Sequence, residues 1–128
     1  MISKVTEGVK ISVKTNYESQ FVSPGQMMYL FSYEIFIENH NHFNIQLLSR
    51  HWIITDSSGE TREVEGEGVI GKQPIIKPFT IFTYQSSCDF KTDIGKMMGT
   101  YTLKNLESNK IFKATIPEFK MVVPFRMN

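Results

Sequence analysis

Little in this chain carries chemistry by itself. Cys88 is the only cysteine in 128 residues, which rules out an internal disulfide and fits a reducing compartment. Charge of one sign is also lacking: 14 Lys and Arg stand against 13 Asp and Glu for a formal +1, with the basic residues scattered singly from Lys4 to Arg126. Nucleic-acid binding driven by phosphate neutralisation normally shows a basic stripe, and its absence sets that class aside.

Long apolar runs are missing too. The longest, Met27 to Phe31, falls far short of the roughly 20 residues a membrane helix needs, and Met1-Ile2-Ser3-Lys4 lacks the charged and then apolar segments of a secretory signal. A cytoplasmic setting without membrane contact is the expectation. All three histidines lie between residues 40 and 51, and no Gly-x-Ser-x-Gly elbow is present. Neither Cys88 nor any serine is therefore furnished with a base and an orienting acid, and the expectation is a protein that is not an enzyme.

What is present is ordinary globular composition, 41% apolar and 21% charged, over a length that closes one hydrophobic core. The reading is one domain over residues 1–128, with an ordered core of about 5–121 and a tail 122–128 that frays or packs along an edge. Apolar residues recur every second position and almost nowhere at helical spacing. Val9, Ile11 and Val13 alternate with Lys10, Ser12 and Lys14, and Tyr29, Phe31, Tyr33, Ile35 and Ile37 repeat the pattern.

Asn44 to Thr55 is apolar on both parities, as in a central strand, and Trp52 is expected to plug the core. Asp56-Ser57-Ser58-Gly59 supplies turn chemistry before a strand over Thr61 to Glu65. Thr80 to Ser86, Thr100 to Lys104 and Ile111 to Ile116 complete the set. About seven short strands point to an all-β antiparallel sandwich of the immunoglobulin or fibronectin type III kind. Up-and-down succession puts the loops His40 to Phe43, Gly66 to Pro78 and Asn105 to Lys110 at one end. Tyr17 to Met27, Asp56 to Glu60 and Ser87 to Met98 go to the other.

Gly66-Glu67-Gly68-Val69-Ile70-Gly71 matches the glycine spacing of dinucleotide-binding turns, but Lys72-Gln73-Pro74 follows instead of the helix that the motif requires. It reads as a bulged strand or a loop with glycines at unusual dihedrals. The alternative is a backbone nest that holds an anion with Lys72 adding charge. His40-Asn41-His42 offers two imidazoles beside Asn39 and Asn44, short of the three or four ligands of a metal site, so a divalent cation is only weakly indicated. Arg50 falls on the same face as Trp52. A buried guanidinium needs a partner, for which Glu34, Asp56 and Glu65 are candidates, or a water-open edge; otherwise it faces a phosphate or carboxylate ligand.

Gln46-Leu47-Leu48-Ser49-Arg50-His51-Trp52-Ile53-Ile54-Thr55-Asp56, followed by Gly66-x-Gly68-Val69-Ile70-Gly71-x-Gln73-Pro74, resembles the bacterial ApaG family. Matching pieces elsewhere are Ser23-Pro24, Phe31-x-Tyr33-x-Ile35, Phe82-x-Tyr84, Gly99-x-Tyr101 and Ile116-Pro117-x-Phe119. The departures, Pro78-Phe79 for a usual Pro-Gly and Ser86-Ser87 for a usual Ser-Gly, touch turns. The resemblance covers the whole domain and implies a fibronectin type III-like sandwich without a settled biochemical function. It also implies neighbourhood with a diadenosine tetraphosphate hydrolase, a link to cobalt and magnesium handling, and kinship to domains of eukaryotic F-box and polymerase-interacting proteins that serve protein recognition.

Together these point to a non-enzymatic binding module that meets a protein partner through the loop 66–74. Val69, Ile70, Gln73 and Pro74 would be its contacts on a frame of Gly66, Gly68 and Gly71. The alternative is a nucleotide or pyrophosphate held by the glycine loop with Lys72 and Arg50, with or without a divalent cation. Sandwich edges also leave self-association open, blunted where Pro24 or Pro117 interrupts them.

Overall fold

The computed structural model describes residues 1–127, with side chains through Phe125. Its strands are β1 (Ile2–Thr6), β2 (Val9–Ser23), β3 (Gln26–Asn39), β4 (Ile45–Asp56), β5 (Thr61–Glu67), β6 (Ile75–Ile76), β7 (Ile81–Phe90), β8 (Ile94–Asn105) and β9 (Ile111–Val122). Every pairing is antiparallel, in two sheets of order β1-β2-β3-β7 and β5-β4-β8-β9, with β6 added beside β4. The chain is an all-β sandwich. A short 3-10 helix, Pro124–Met127, follows β9 in the tail expected to fray or pack along an edge, and Val123 before it is buried. Asn128, the end of that segment, lies outside the described residues. None of the described helices is long and apolar enough to cross a membrane.

The expectation of about seven strands needs correction by two. Both β1 and β6 are short, one at the chain start and one of two residues, and neither leaves a periodic signal of its own. The stretches taken as loops over Tyr17 to Met27 and Ser87 to Met98 are mostly strand. β2 and β3 run on to a tight turn at Pro24-Gly25, and β7 and β8 meet over Lys91 to Asp93. Cys88, taken for a loop residue, is a buried member of β7 opposite Phe31.

Alternation builds the core. Val9, Ile11 and Val13 of β2 and Phe31, Tyr33, Ile35 and Ile37 of β3 are all buried, while most of the residues between them are half-buried and Ser12 is buried. Trp52 stands in the middle with its ring edge-on to Tyr33 at 5.6 Å and to Phe119 at 5.9 Å. β4 corrects the reading of a strand apolar on both faces. Its register against β8 slips between Leu47 and Ser49, so Leu48 is an inserted residue. The insertion switches parity, placing Ile45, Leu47, Trp52 and Ile54 in one core.

At one end of the sandwich, the amide of Asn39 donates to Thr80 and that of Leu106 to Asn44. The amide of Ser57 donates to Ile94 at the other. The two long sides differ. On one, β1 and β2 pack onto β9, where the amide of Thr115 donates to the hydroxyl of Thr6 at 3.3 Å. On the other, the edges of β5 and β7 stand apart and leave a cleft between the sheets.

Candidate functional site

The cleft has a volume of about 290 Å³. Arg50 reaches it on the inward face it shares with Trp52, as alternation predicts. Its Nη1 donates to the main-chain oxygens of Glu67 at 3.0 Å and Gly68 at 2.9 Å. A Cβ on Gly66 would stand 2.9 Å from Nη1 and Nη2, so glycine at 66 makes room for the guanidinium. The carboxylate pairing expected for Arg50 is not found. Among the described residues no ion pair reaches it, and Glu65 turns to His51 instead. Two carbonyl dipoles on the neighbouring strand end replace the carboxylate.

The glycine loop forms one wall of the cleft. Gly68 takes φ +61°, and a Cβ there would lie 2.0 Å from the carbonyl oxygen of Lys72. Val69 and Lys72 exchange main-chain hydrogen bonds at 2.8 and 2.9 Å around a turn whose middle residues, Ile70 and Gly71, have φ +43° and +75°. Positive φ at both central positions is the hairpin turn that Asn-Gly prefers. Three expectations for this loop change.

Val69, expected as an exposed contact, is fully buried. Gln73 is exposed, but its side-chain amide donates to Leu48 O at 2.9 Å, while Pro74 O accepts from Leu47 N at 3.0 Å. These two residues fasten the loop to β4. The amides of Gly68, Val69 and Lys72 are spent on the carbonyls of Leu48, Lys72 and Val69, so those three do not form an anion nest. Ile70 alone among the apolar loop residues stands out, 56% exposed.

The rest of the cleft comes from residues that sequence reasoning passed over. Tyr33 and Ser86 face each other across β3 and β7, and the hydroxyls of Tyr84 and Tyr101 bond to each other in the interior. Burial pushes the phenols of Tyr33, Tyr84 and Tyr101 above their ordinary range, and the charge of Arg50 opposes that rise in all three. At the far end, Arg62 of β5 donates Nη2 to Cys88 Sγ at 3.0 Å and to the main-chain oxygen of Asp89, joining the two edges. Burial raises the Cys88 thiol, and Arg62 partly offsets it. The strand pattern marks Tyr33 and Tyr84 only as inward residues, and nothing local in it shows that β3 pairs with β7.

The histidines do not gather. His40 Nε2 lies 3.4 Å from Glu38, and the His42 ring stands edge-on to Phe79 at 5.1 Å, so the pair expected as weak metal ligands is split between two partners. His51 instead meets Glu63 at 3.1 Å and Glu65 at 3.5 Å, and the three ligand atoms lie within 4.8 Å of one another. A hard or borderline divalent cation could use such a set. The two carboxylates are well exposed and β5 is an edge strand, so an ordinary surface ion triad accounts for the contacts equally.

These features define a β-sandwich domain with one closed long side and one open side, its cleft headed by an arginine that a glycine loop holds in place. The ApaG domain family matches residues 19–105, and the chain belongs to that family. It is 41% identical to Protein ApaG of Anaeromyxobacter dehalogenans (strain 2CP-C), with all of both chains covered. An X-ray structure of a structural genomics target is 43% identical, with TM-score 0.88 over 91% of this chain and 88% of that one. A crystal structure named for an ApaA protein from Bordetella pertussis is 39% identical, with TM-score 0.84 over 91% of this chain and 94% of that one.

Proposed function

We propose that the chain is a non-enzymatic binding module that works through the cleft between β5 and β7, where Arg50 receives the anionic group of a ligand. The observation that carries this reading is a guanidinium aimed into a preformed cleft, held by main-chain carbonyls and unpaired with any carboxylate among the described residues. The guanidinium is half-buried and oriented by those two carbonyls, so an anion that enters the cleft meets a charged donor already in place. The cleft lining contains neither histidine nor carboxylate to serve as a general base beside Ser86 or Cys88, which supports binding over turnover. The single thiol fits a cytoplasmic role.

Titration of ¹⁵N-labelled protein with small carboxylates, phosphate monoesters and nucleotides tests it, with and without Mg²⁺ or Co²⁺. Amide signals over 66–72 and 84–88 are expected to move for at least one anion, and Arg50→Met is expected to abolish the response. A panel that leaves those signals in place overturns the reading.

One observation favours a protein partner at the same place. Ile70 is a β-branched residue held at φ +43° with its side chain largely in water, a costly conformation of the kind that collects at functional surfaces. In this second reading Ile70 docks into an apolar pocket of a partner. Affinity capture with unmodified protein and with Ile70→Asp decides it: if every captured protein survives the substitution, Ile70 is no contact.

A further inference from the structure

Both hydrogens of Arg50 Nη1 are directed at main-chain oxygens, those of Glu67 and Gly68, and this fixes the plane of the guanidinium. Nε and Nη2 have no acceptor among the described residues. No buried side-chain nitrogen is left unsatisfied, so these two donors open on solvent-reachable space, and Arg50 lines the cleft. Nε–H and Nη2–H are the parallel pair on the side edge of a guanidinium. That edge matches the two oxygens of a carboxylate.

Resting on the binding reading above, we propose that the cleft takes a monoanionic carboxylate carried on a small apolar or aromatic body, seated side-on against the Nε–Nη2 edge of Arg50. Charge argues for one negative group and no more. The lining holds one arginine, no lysine and no acid, so one negative charge is balanced and a second would be left uncompensated in a half-buried site. The loop amides of Gly68, Val69 and Lys72 are already bonded within the protein, so the neutral donors left beside Arg50 include the hydroxyls of Tyr33, Ser86 and Ser87.

The walls set the body of the ligand. Trp52, Val64, Val69, Ile70 and Met97 form an apolar side opposite the hydroxyls of Tyr33, Ser86 and Ser87, and about 290 Å³ lies just under the size of ordinary ligand sites, roughly 300–1,000 Å³. A single ring or branched alkyl group suits that space better than a nucleotide. Such a carboxylate has two sources, a free aryl or alkyl acid and the C-terminal residue of another protein chain.

The test uses N-acetyl-phenylalanine, its primary amide, phenyl phosphate, and a tetrapeptide ending in phenylalanine with a free or an amidated terminus. Calorimetry and amide shifts are read on unmodified protein and on Arg50→Lys, which keeps the charge and removes the fork. The acid is expected to bind with shifts over 66–72 and 84–88, and the amide to bind roughly ten- to a hundredfold more weakly, the size of a charge-assisted contact. Arg50→Lys should weaken the acid by a similar factor. Should that variant fail to fold, the comparison of acid with amide on unmodified protein still decides.

Equal affinity of acid and amide overturns the proposal. Tighter binding of phenyl phosphate overturns the carboxylate class while leaving the cleft as an anion site. Silence with all these probes overturns the carboxylate class too, and the broader anion panel then decides the binding reading separately. Tighter binding of the free-ended tetrapeptide than of N-acetyl-phenylalanine supports a chain terminus as the source, and equal binding supports a free acid.

Discussion

Arg50 lies within 2.9 Å of the place where a Cβ on Gly66 would stand, so the glycine and the arginine form one structural feature although sixteen positions separate them. The same dependence of one side chain on another holds at the far end of the cleft. Cys88 is 8% exposed, and its thiol is raised above the ordinary value of 9.0 by burial, with Arg62 opposing. A raised thiol has a defined sign for stability. Below about pH 9 the thiol is protonated in folded and unfolded chains alike, and stability is at its full value. As pH climbs above that value the unfolded chain releases its proton first, so stability falls until the folded value is passed.

Urea midpoints between pH 7 and 10.5 should therefore decline at the alkaline end, and Cys88→Ala should remove part of the decline. The raised phenols of Tyr33, Tyr84 and Tyr101 add a further decline of the same sign from about pH 10. An identical pH profile for Cys88→Ala would show that the thiol does not contribute.

Among the elements, β4 and the turn that follows β5 decide the site. The insertion at Leu48 lets Ile45 and Leu47 share the inward face of Arg50 and Trp52, and Leu48 O accepts both the Gly68 amide and the Gln73 side chain, so one irregularity joins two halves of the strand in one core and anchors the loop. The turn Val69-Ile70-Gly71-Lys72 is built for Asn-Gly yet carries isoleucine at a positive φ. Ile70→Asn should raise stability by about 0.5–1 kcal/mol, since asparagine tolerates that conformation and isoleucine does not. Thermal unfolding measures it. A lower melting temperature would show that Ile70 contributes more through packing than it loses to its backbone.

Across the whole molecule, the packing of β1 and β2 on β9 closes one side and leaves the stability of the sandwich to the aromatic centre and the aliphatic layers around it. Trp52 meets Tyr33, Tyr101 and Phe119 and is 3% exposed. Trp52→Ala should cost about 3–5 kcal/mol, because a large ring leaves a cavity that two hydrogen-bonded sheets cannot collapse to fill. Equilibrium denaturation reads the loss, and a value below about 1 kcal/mol would show that the sheets do relax.

Much of this architecture is legible in the sequence. Period-2 alternation in β2 and β3, the turn residues at Asp56 to Gly59 and the burial of Trp52 are local properties that a strand with one wet face imposes on its own residues. The glycines of 66–71 also announce an unusual backbone. What they are for is not legible: Gly66 answers to a side chain on β4, Gly68 to a carbonyl four residues on, and Gly71 to the turn. Val69 looks like surface in the sequence and is core in the fold, because the loop doubles back over the cleft.

The sequence by itself determined an all-β domain of the ApaG family, its main strands and its glycine loop, since alternation and turn chemistry act between near neighbours. Only the tertiary structure decided the site. Arg50 shares the face of Trp52 as alternation requires, but an inserted residue in β4 brings Ile45 and Leu47 to that same face. Pairing of β3 with β7 brings Tyr33 to Ser86, and the packing of one sheet on the other sets both beside Arg50. Register and sheet packing are contacts between distant residues, which the local periodicity of a strand does not record.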